Sequence, residues 1–364
     1  MRVLVIDDSA FMRRAIRGML ESDPAIEIVG CARGGEEGLK MAEHHRPDVI
    51  TLDVEMPDLD GITVLQRIMT ECPTQVLMLS SLTTDGSHTA LRALKLGAAD
   101  VLAKDTSQIS LSVTNIQNDL ITRVKALGRA GSGNATQKHA KQAREATTTL
   151  PTLRRGSFNV VCIGSSTGGP PVLESLVTRL PADWRLPIVI AQHMPAVFTQ
   201  SLAERLDQLC AIPVRHIENG MSMENGTVYI APGGMHTRII KQGLARWSLK
   251  TESDDGHLYK PSVDALFESA ADAMGSRVLA IVLTGMGDDG KIGAGRLHEK
   301  GAMIFAQDAA SCVVYGMPKA VNEAGYIQAA LPPDQISRLL CTMNNPNTAQ
   351  PATTTTKSPH AKPA

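Results

Sequence analysis

Short apolar runs alternate with amphipathic stretches from residue 1 to about residue 127. The runs at residues 3–6, 26–31, 49–52, 75–79 and 101–103 are too short for buried helices. Helical patterns such as 36–44 and 87–96 separate them. Brief, almost continuously apolar strands divided by sequences of helical period are the mark of βαβ units, because a parallel strand is buried on both faces. A five-stranded, doubly wound parallel sheet is predicted. The alternation resumes at residue 158 and continues to about 342, with strands expected at 159–163, 188–191, 227–230, 278–283 and 302–306. This predicts a second, larger doubly wound α/β domain, mainly parallel. Between the two, residues 128–157 open on Gly128-Arg129-Ala130-Gly131-Ser132-Gly133-Asn134 and turn polar and basic, which reads as a flexible linker. Residues 343–364, rich in Asn, Pro, Thr and Lys, lack periodicity and read as a disordered tail.

Composition narrows the class. The 364 residues carry a net charge of −1 and are 43% hydrophobic, as expected of a soluble globular protein without a nucleic-acid footprint. No apolar run reaches the roughly 18 residues of a membrane span. The start, Met1-Arg2-Val3-Leu4-Val5-Ile6-Asp7-Asp8, turns acidic too early for a signal peptide, so a cytoplasmic location is expected. Six cysteines without a CxxC pair read as reduced thiols. Aromatic residues make up only 3% of the chain, so the core must be built from aliphatic and Met side chains.

Ligand sites of open parallel sheets lie outside the carboxyl ends of the strands. There the first predicted strand delivers Asp7 and Asp8, and the third delivers Asp53. Three converging carboxylates require a hard cation between them, and an oxygen-only site suits Mg²⁺. Ser80 and Lys104, at the ends of the fourth and fifth strands, add a hydroxyl and an ammonium placed to hold phosphoryl oxygens. With the phrase Asp53-Val54-Glu55-Met56-Pro57-Asp58-Leu59-Asp60-Gly61, residues 1 to about 125 resemble the receiver domain of two-component response regulators, whose fold is flavodoxin-like. The resemblance implies that Asp53 accepts phosphoryl from a histidine kinase, that Asp7 and Asp8 bind Mg²⁺, and that Ser80 and Lys104 transmit the change. Two positions depart from that family: Asp105 follows the lysine where proline is usual, and Val101 stands at the usual aromatic switch position.

The second half carries a different chemistry. The strand at 159–163 runs into Gly164-Ser165-Ser166-Thr167-Gly168-Gly169-Pro170. Gly164-x-Ser166-x-Gly168 fits a nucleophile elbow, in which glycines permit a tight strand-to-helix turn that exposes the serine hydroxyl. The competing phosphate cradle lacks Gly-Lys-Ser/Thr and the G-x-G-x-x-G spacing. His193, in Gln192-His193-Met194-Pro195 at another strand end, is the candidate base. Thr284-Gly285-Met286-Gly287-Asp288-Asp289-Gly290 brings two carboxylates to the same edge, either of which could orient the imidazole. The order Ser, His, Asp differs from that of α/β-hydrolases. These motifs, together with Ala231-Pro232-Gly233 and Lys260-Pro261-Ser262-Val263-Asp264, resemble the catalytic domain of the chemotaxis protein-glutamate methylesterases over about residues 158–342. The resemblance implies Ser166 as nucleophile, His193 as base, Asp289 rather than Asp288 as acid, and the Met286 backbone amide as oxyanion donor.

The expected function is hydrolysis of glutamate methyl esters on methyl-accepting chemoreceptors, with glutamine deamidation, raised when a chemotaxis histidine kinase phosphorylates the receiver. Contact with the membrane is expected only through the receptors, and no cofactor is expected for the esterase. A regulated hydrolase of another ester is the enzymatic alternative. A DNA-binding output is the non-enzymatic one, disfavoured because a basic helix-turn-helix is missing.

Overall fold

The computed structural model describes residues 1–104, 113–131, 156–243, 246–253 and 256–344. Most of the predicted linker and nearly all of the predicted tail lie outside the described residues. At their edges, helix Val113–Gly131 runs past the boundary drawn at residue 127, and the last helix ends at Asn344.

The first sheet contains β1 Arg2–Ile6, β2 Glu27–Ala32, β3 Val49–Asp53, β4 Gln75–Ser81 and β5 Asp100–Lys104, in the order β2-β1-β3-β4-β5. Every pairing is parallel. Val3, Leu4, Val5 and Ile6 have no exposed surface, because helices cover both faces of the central strand. The connecting helices are α1 Ala10–Glu21, α2 Gly35–His45, α3 Gly61–Glu71, α4 Thr84–Lys95 and α5 Val113–Gly131. Their starts are encoded locally: the side chains of Ser9, Asp60 and Thr83 each accept a hydrogen bond from the backbone N–H three residues on. The strand order reverses between β1 and β3, which is where a ligand crevice forms.

The second sheet has seven parallel strands in the order β15-β14-β13-β6-β7-β10-β8. They are β6 Val160–Ser165, β7 Ile188–Gln192, β8 Val214–His216, β10 Val228–Ile230, β13 Val278–Val282, β14 Met303–Gln307 and β15 Ala329–Leu331. The chain starts in the middle at β6, works outward through β7, and returns to β6's other side as β13, so the reversal falls between β6 and β13. Helices α6 Gly169–Val177, α7 Ala196–Leu209, α8 Val263–Met274, α9 Lys291–Glu299, α10 Met317–Glu323 and α11 Pro333–Asn344 complete this unit.

The hydrophobic pattern located five of the seven strands and missed β8 and β15, which are three residues each. It also missed a small antiparallel sheet in which β11 His236–Gln242 and β9 Met221–Ser222 flank β12 Arg246–Glu252. These strands face solvent on one side and carry Arg, Lys and Gln, so their apolar signal is diluted.

The two halves pack closely. On α4, Leu91 and Leu94 join one apolar cluster with Leu173 of α6 and Leu202 of α7. Met286 and Val313 pack against a cluster that includes Leu120, Val124 and Leu127 of α5. Buried hydroxyls cross the boundary as a Ser87–Ser201 hydrogen bond of 2.5 Å.

Candidate active site and phosphoacceptor pocket

At the first crevice, Asp53 ends β3 while Asp7 and Asp8 follow β1. One carboxylate oxygen from each lies within 4.8 Å of the others. Asp7 and Asp53 are buried and Asp8 is exposed, so the cluster opens to solvent on one side. Lys104 Nζ bridges Asp53 Oδ2 at 2.6 Å and Asp7 Oδ2 at 2.9 Å. Burial pushes the Asp53 carboxyl up, Lys104 counteracts it, and Asp7 adds to the rise. One ammonium against three carboxylates leaves a deficit of positive charge. The oxygen-only donor set therefore fits a hard divalent cation. Ser80 lies near the end of β4, and its buried hydroxyl donates to the Gly86 carbonyl at 3.0 Å, because a buried O–H must find an acceptor.

At the second crevice, β6 and β7 are paired with Ser165 opposite Gln192, so Ser166 and His193 leave neighbouring strands side by side. Gln192 ties them together. Its amide donates to the Ser166 carbonyl at 2.9 Å, and its Oε1 accepts from Ser165 Oγ at 2.6 Å. The elbow requires glycine. Gly168 has φ 75° at the start of α6, and a Cβ on Gly285 would stand 2.8 Å from Ser166 Cβ. That close approach brings the turn after β13 against the serine. Ser166 is 5% exposed, and its hydroxyl makes no hydrogen bond among the described residues.

Of the two candidate acids, the structure separates one from the other by burial: Asp288 is exposed and Asp289 is buried. Asp289 Oδ2 lies 2.7 Å from His193 Nε2. The same carboxylate accepts N–H groups of Val263 at 2.8 Å and Asp264 at 2.9 Å, and the Ser262 hydroxyl at 3.0 Å. These donors form the N-terminus of α8, whose dipole favours negative charge. Burial opposes ionisation of Asp289, but the hydrogen bond and charge of His193, followed by the backbone donors, hold its carboxyl well below the usual range. Met286 projects from the same turn, and among the described residues its N–H has no backbone acceptor.

Several residues escaped the sequence reading. Tyr259 stacks on the His193 ring, with centroids 4.5 Å apart and planes 15° apart. Burial raises its phenol, and Asp119 of α5 acts in the same direction. Its position immediately before the Lys260–Asp264 motif in a chain with only four tyrosines was the available signal. Asp100 and Thr167 had none. The Thr167 hydroxyl, adjacent to Ser166, donates to Asp100 Oδ2 at 2.6 Å, and Arg123 of α5 pairs with the same carboxylate.

A receiver module set directly against an enzyme module defines the class: a response regulator with a hydrolytic output. Comparison with known proteins gives the family. Residues 3–114 match the response regulator receiver domain, and residues 161–340 match the CheB methylesterase domain. A protein-glutamate methylesterase/protein-glutamine glutaminase of Nitratidesulfovibrio vulgaris is 45% identical over 89% of this chain and 94% of its own length. One from Oleidesulfovibrio alaskensis is 43% identical over 93% and 98%. The crystal structure of the Thermotoga maritima CheB methylesterase catalytic domain is 40% identical, covering 50% of this chain and 97% of that one, with a TM-score of 0.49. The chain belongs to the protein-glutamate methylesterase/protein-glutamine glutaminase family. No helix among the described residues is long and apolar enough to cross a membrane.

Proposed function

We propose that this protein hydrolyses glutamate γ-methyl esters on chemoreceptors, releasing methanol, and deamidates receptor glutamines, and that phosphorylation of Asp53 by a chemotaxis histidine kinase raises both activities. The observation that carries the catalytic reading is the buried His193–Asp289 pair at the strand end next to Ser166. With Nε2 engaged by Asp289, Nδ1 is the nitrogen left to take the serine proton. Ser166 Oγ then attacks the ester carbonyl, and the Met286 N–H receives the oxyanion. The imidazolium returns the proton to methoxide as the acyl bond breaks, and a water activated by the same base releases the carboxylate. A primary amide follows the same course with ammonia leaving.

In the receiver, Asp7, Asp8 and Asp53 would hold Mg²⁺, which when bound supplies charge neutralisation for phosphoryl oxygens. Lys104 holds Asp53 and Asp7 at the reacting edge. We assign the receiver to residues 1–127 and the catalytic domain to 158–342. Regulation follows from the packing of α4 and α5 on the catalytic half. The Thr167–Asp100–Arg123 chain reaches the residue beside the nucleophile, and α5 covers Met286. A tethered receiver has an effective concentration up to the millimolar range, so an interface of modest strength keeps most molecules closed. Methanol release from methylated receptor membranes, with and without a phosphodonor, tests the reading. Hydrolysis of soluble esters alone, with receptors untouched, would favour the other enzymatic alternative.

A further inference from the structure

The Lys260–Asp264 motif ends on a carboxylate that has no part in the reaction described above. Asp264 lies in the first turn of α8 and is 6% exposed. Its carboxylate and that of Asp289 are exchanged between two helices. Asp289 precedes α9, yet its carboxylate sits on the N-terminus of α8. Asp264 belongs to α8, yet its Oδ1 accepts the Gly293 N–H in the first turn of α9 at 2.7 Å. Each helix thus receives from the other the negative charge that its N-terminus favours. The fit needs glycine at 293, where a Cβ would stand 2.6 Å from Phe267 Cβ and 2.9 Å from the Asp264 carbonyl oxygen.

The exchange sets two buried carboxyls side by side. Asp289 already accepts from Ser262, Val263, Asp264 and His193, which fills the lone-pair sites of an ionised carboxylate. Asp264 is therefore the member of the pair that takes up a proton. Burial pushes its carboxyl up to about 7, against the Gly293 donor and with the Asp289 charge.

We propose that Asp264 is a positioning residue of the esterase, acting through Asp289. It clamps the turn that carries Met286 and Asp289, and its ionised form adds a second negative charge that favours the imidazolium His193 becomes on taking the Ser166 proton. This rests on the reading of Ser166, His193 and Asp289 as the reacting set.

The other titratable groups around Asp264 are less able to play this part. Asp288 and Lys291 are exposed. Arg296 of α9 is held by Asp272 and Glu268, and Arg238 of β11 pairs with Glu252. Cys162 of β6 is kept a thiol by burial, His236 of β11 ring-stacks edgewise with His257, and β13 brings no titratable side chain.

The test measures kcat and KM for methanol release from methylated receptor membranes by full-length protein under saturating phosphodonor, at about pH 6 and about pH 8.5. Asp264→Asn keeps an acceptor oxygen for the Gly293 N–H and removes the titration. The expected kcat of wild type and variant agree within about twofold at the lower pH, and wild type leads by about tenfold at the higher one, with KM unchanged. A wild-type to variant ratio constant across pH, or a loss carried by KM, would overturn the proposal. Asp289→Asn run in parallel separates the two readings. If it retains wild-type kcat, the reacting set is wrong. If it is inactive while Asp264→Asn tracks wild type, only the role of Asp264 fails. Should Asp264→Asn not fold, ¹⁵N titration of the His193 ring in the wild type decides: a second inflection near pH 7, besides the ring's own, is expected, and its absence refutes the assignment.

Discussion

Both sites of this protein stand at the carboxyl edge of a parallel sheet where the strand order reverses, and both are built on aspartates, yet their electrostatics are opposed. In the receiver, three carboxylates meet one ammonium, and Asp8 leaves the cluster open to water. In the catalytic half, Asp289 is saturated by the α8 N-terminus, Ser262 and His193, and solvent is nearly excluded. The unbalanced site is suited to gaining a cation and a phosphoryl group. The balanced one is preorganised for charge that develops only in the transition state. One topology therefore yields a receptor of charge or a stabiliser of charge, depending on how many N–H donors point at the carboxylate.

The largest effect that would break this comparison is at the nucleophile. Ser166→Ala should lower methanol release by about 10⁶-fold while leaving phosphoryl uptake at Asp53 intact. A folded, active variant would remove the hydrolytic role from the second crevice. Asp289→Asn should fall by up to roughly 10⁴-fold in kcat, because the tautomer and the imidazolium lose their partner. The exposed neighbour supplies the control, with Asp288→Asn expected within about twofold of wild type; the reverse order would mean that burial chose the wrong acid. Asp53→Asn should accept no phosphoryl from kinase or small-molecule donor and should lose the donor-dependent rise in esterase rate. Labelling that persisted would relocate the phosphoacceptor.

Smaller effects sharpen the comparison. Ser201→Ala leaves the buried Ser87 hydroxyl without its partner across the boundary. A loss of about 1 kcal/mol at the interface should raise the unphosphorylated rate by about fivefold and leave the phosphorylated rate unchanged. An unchanged basal rate would mean that the α4 contact does not restrain the enzyme. The buried acid pair also predicts a pH dependence of stability. A carboxyl raised in the folded state stabilises fully below its unfolded value near ~4 and loses that contribution as pH rises through about 7. Asp264→Asn should therefore gain on wild type by roughly 2 kcal/mol between about pH 5 and about pH 8 in denaturant melts. Parallel curves would show that Asp264 is ionised throughout.

Sequence alone determined the features that depend on local order. The five strands of the receiver and five of the seven in the catalytic sheet are short apolar runs between helical periods, and the placement of Asp7, Asp53, Ser166 and His193 at strand ends follows from where those runs stop. Gly168 was legible as an elbow because its φ of 75° is a local demand of the turn. Tertiary structure decided what depends on direction and neighbours. Asp288 and Asp289 are adjacent in sequence, and only the packing of α8 against the turn buries one under three N-terminal donors and leaves the other in water. Ser80 reads as a strand-end hydroxyl, and the acceptor it meets, the Gly86 carbonyl of α4, comes from the packing. The Lys260–Asp264 motif marked the neighbourhood of Tyr259 and Asp264, but neither it nor any period showed what Tyr259, Asp100 and Asp264 touch, because each meets a partner from about 20 to more than 60 residues away along the chain. Hydrophobic period reports which face of an element is buried; it carries no information about which polar atom from another element will meet it there.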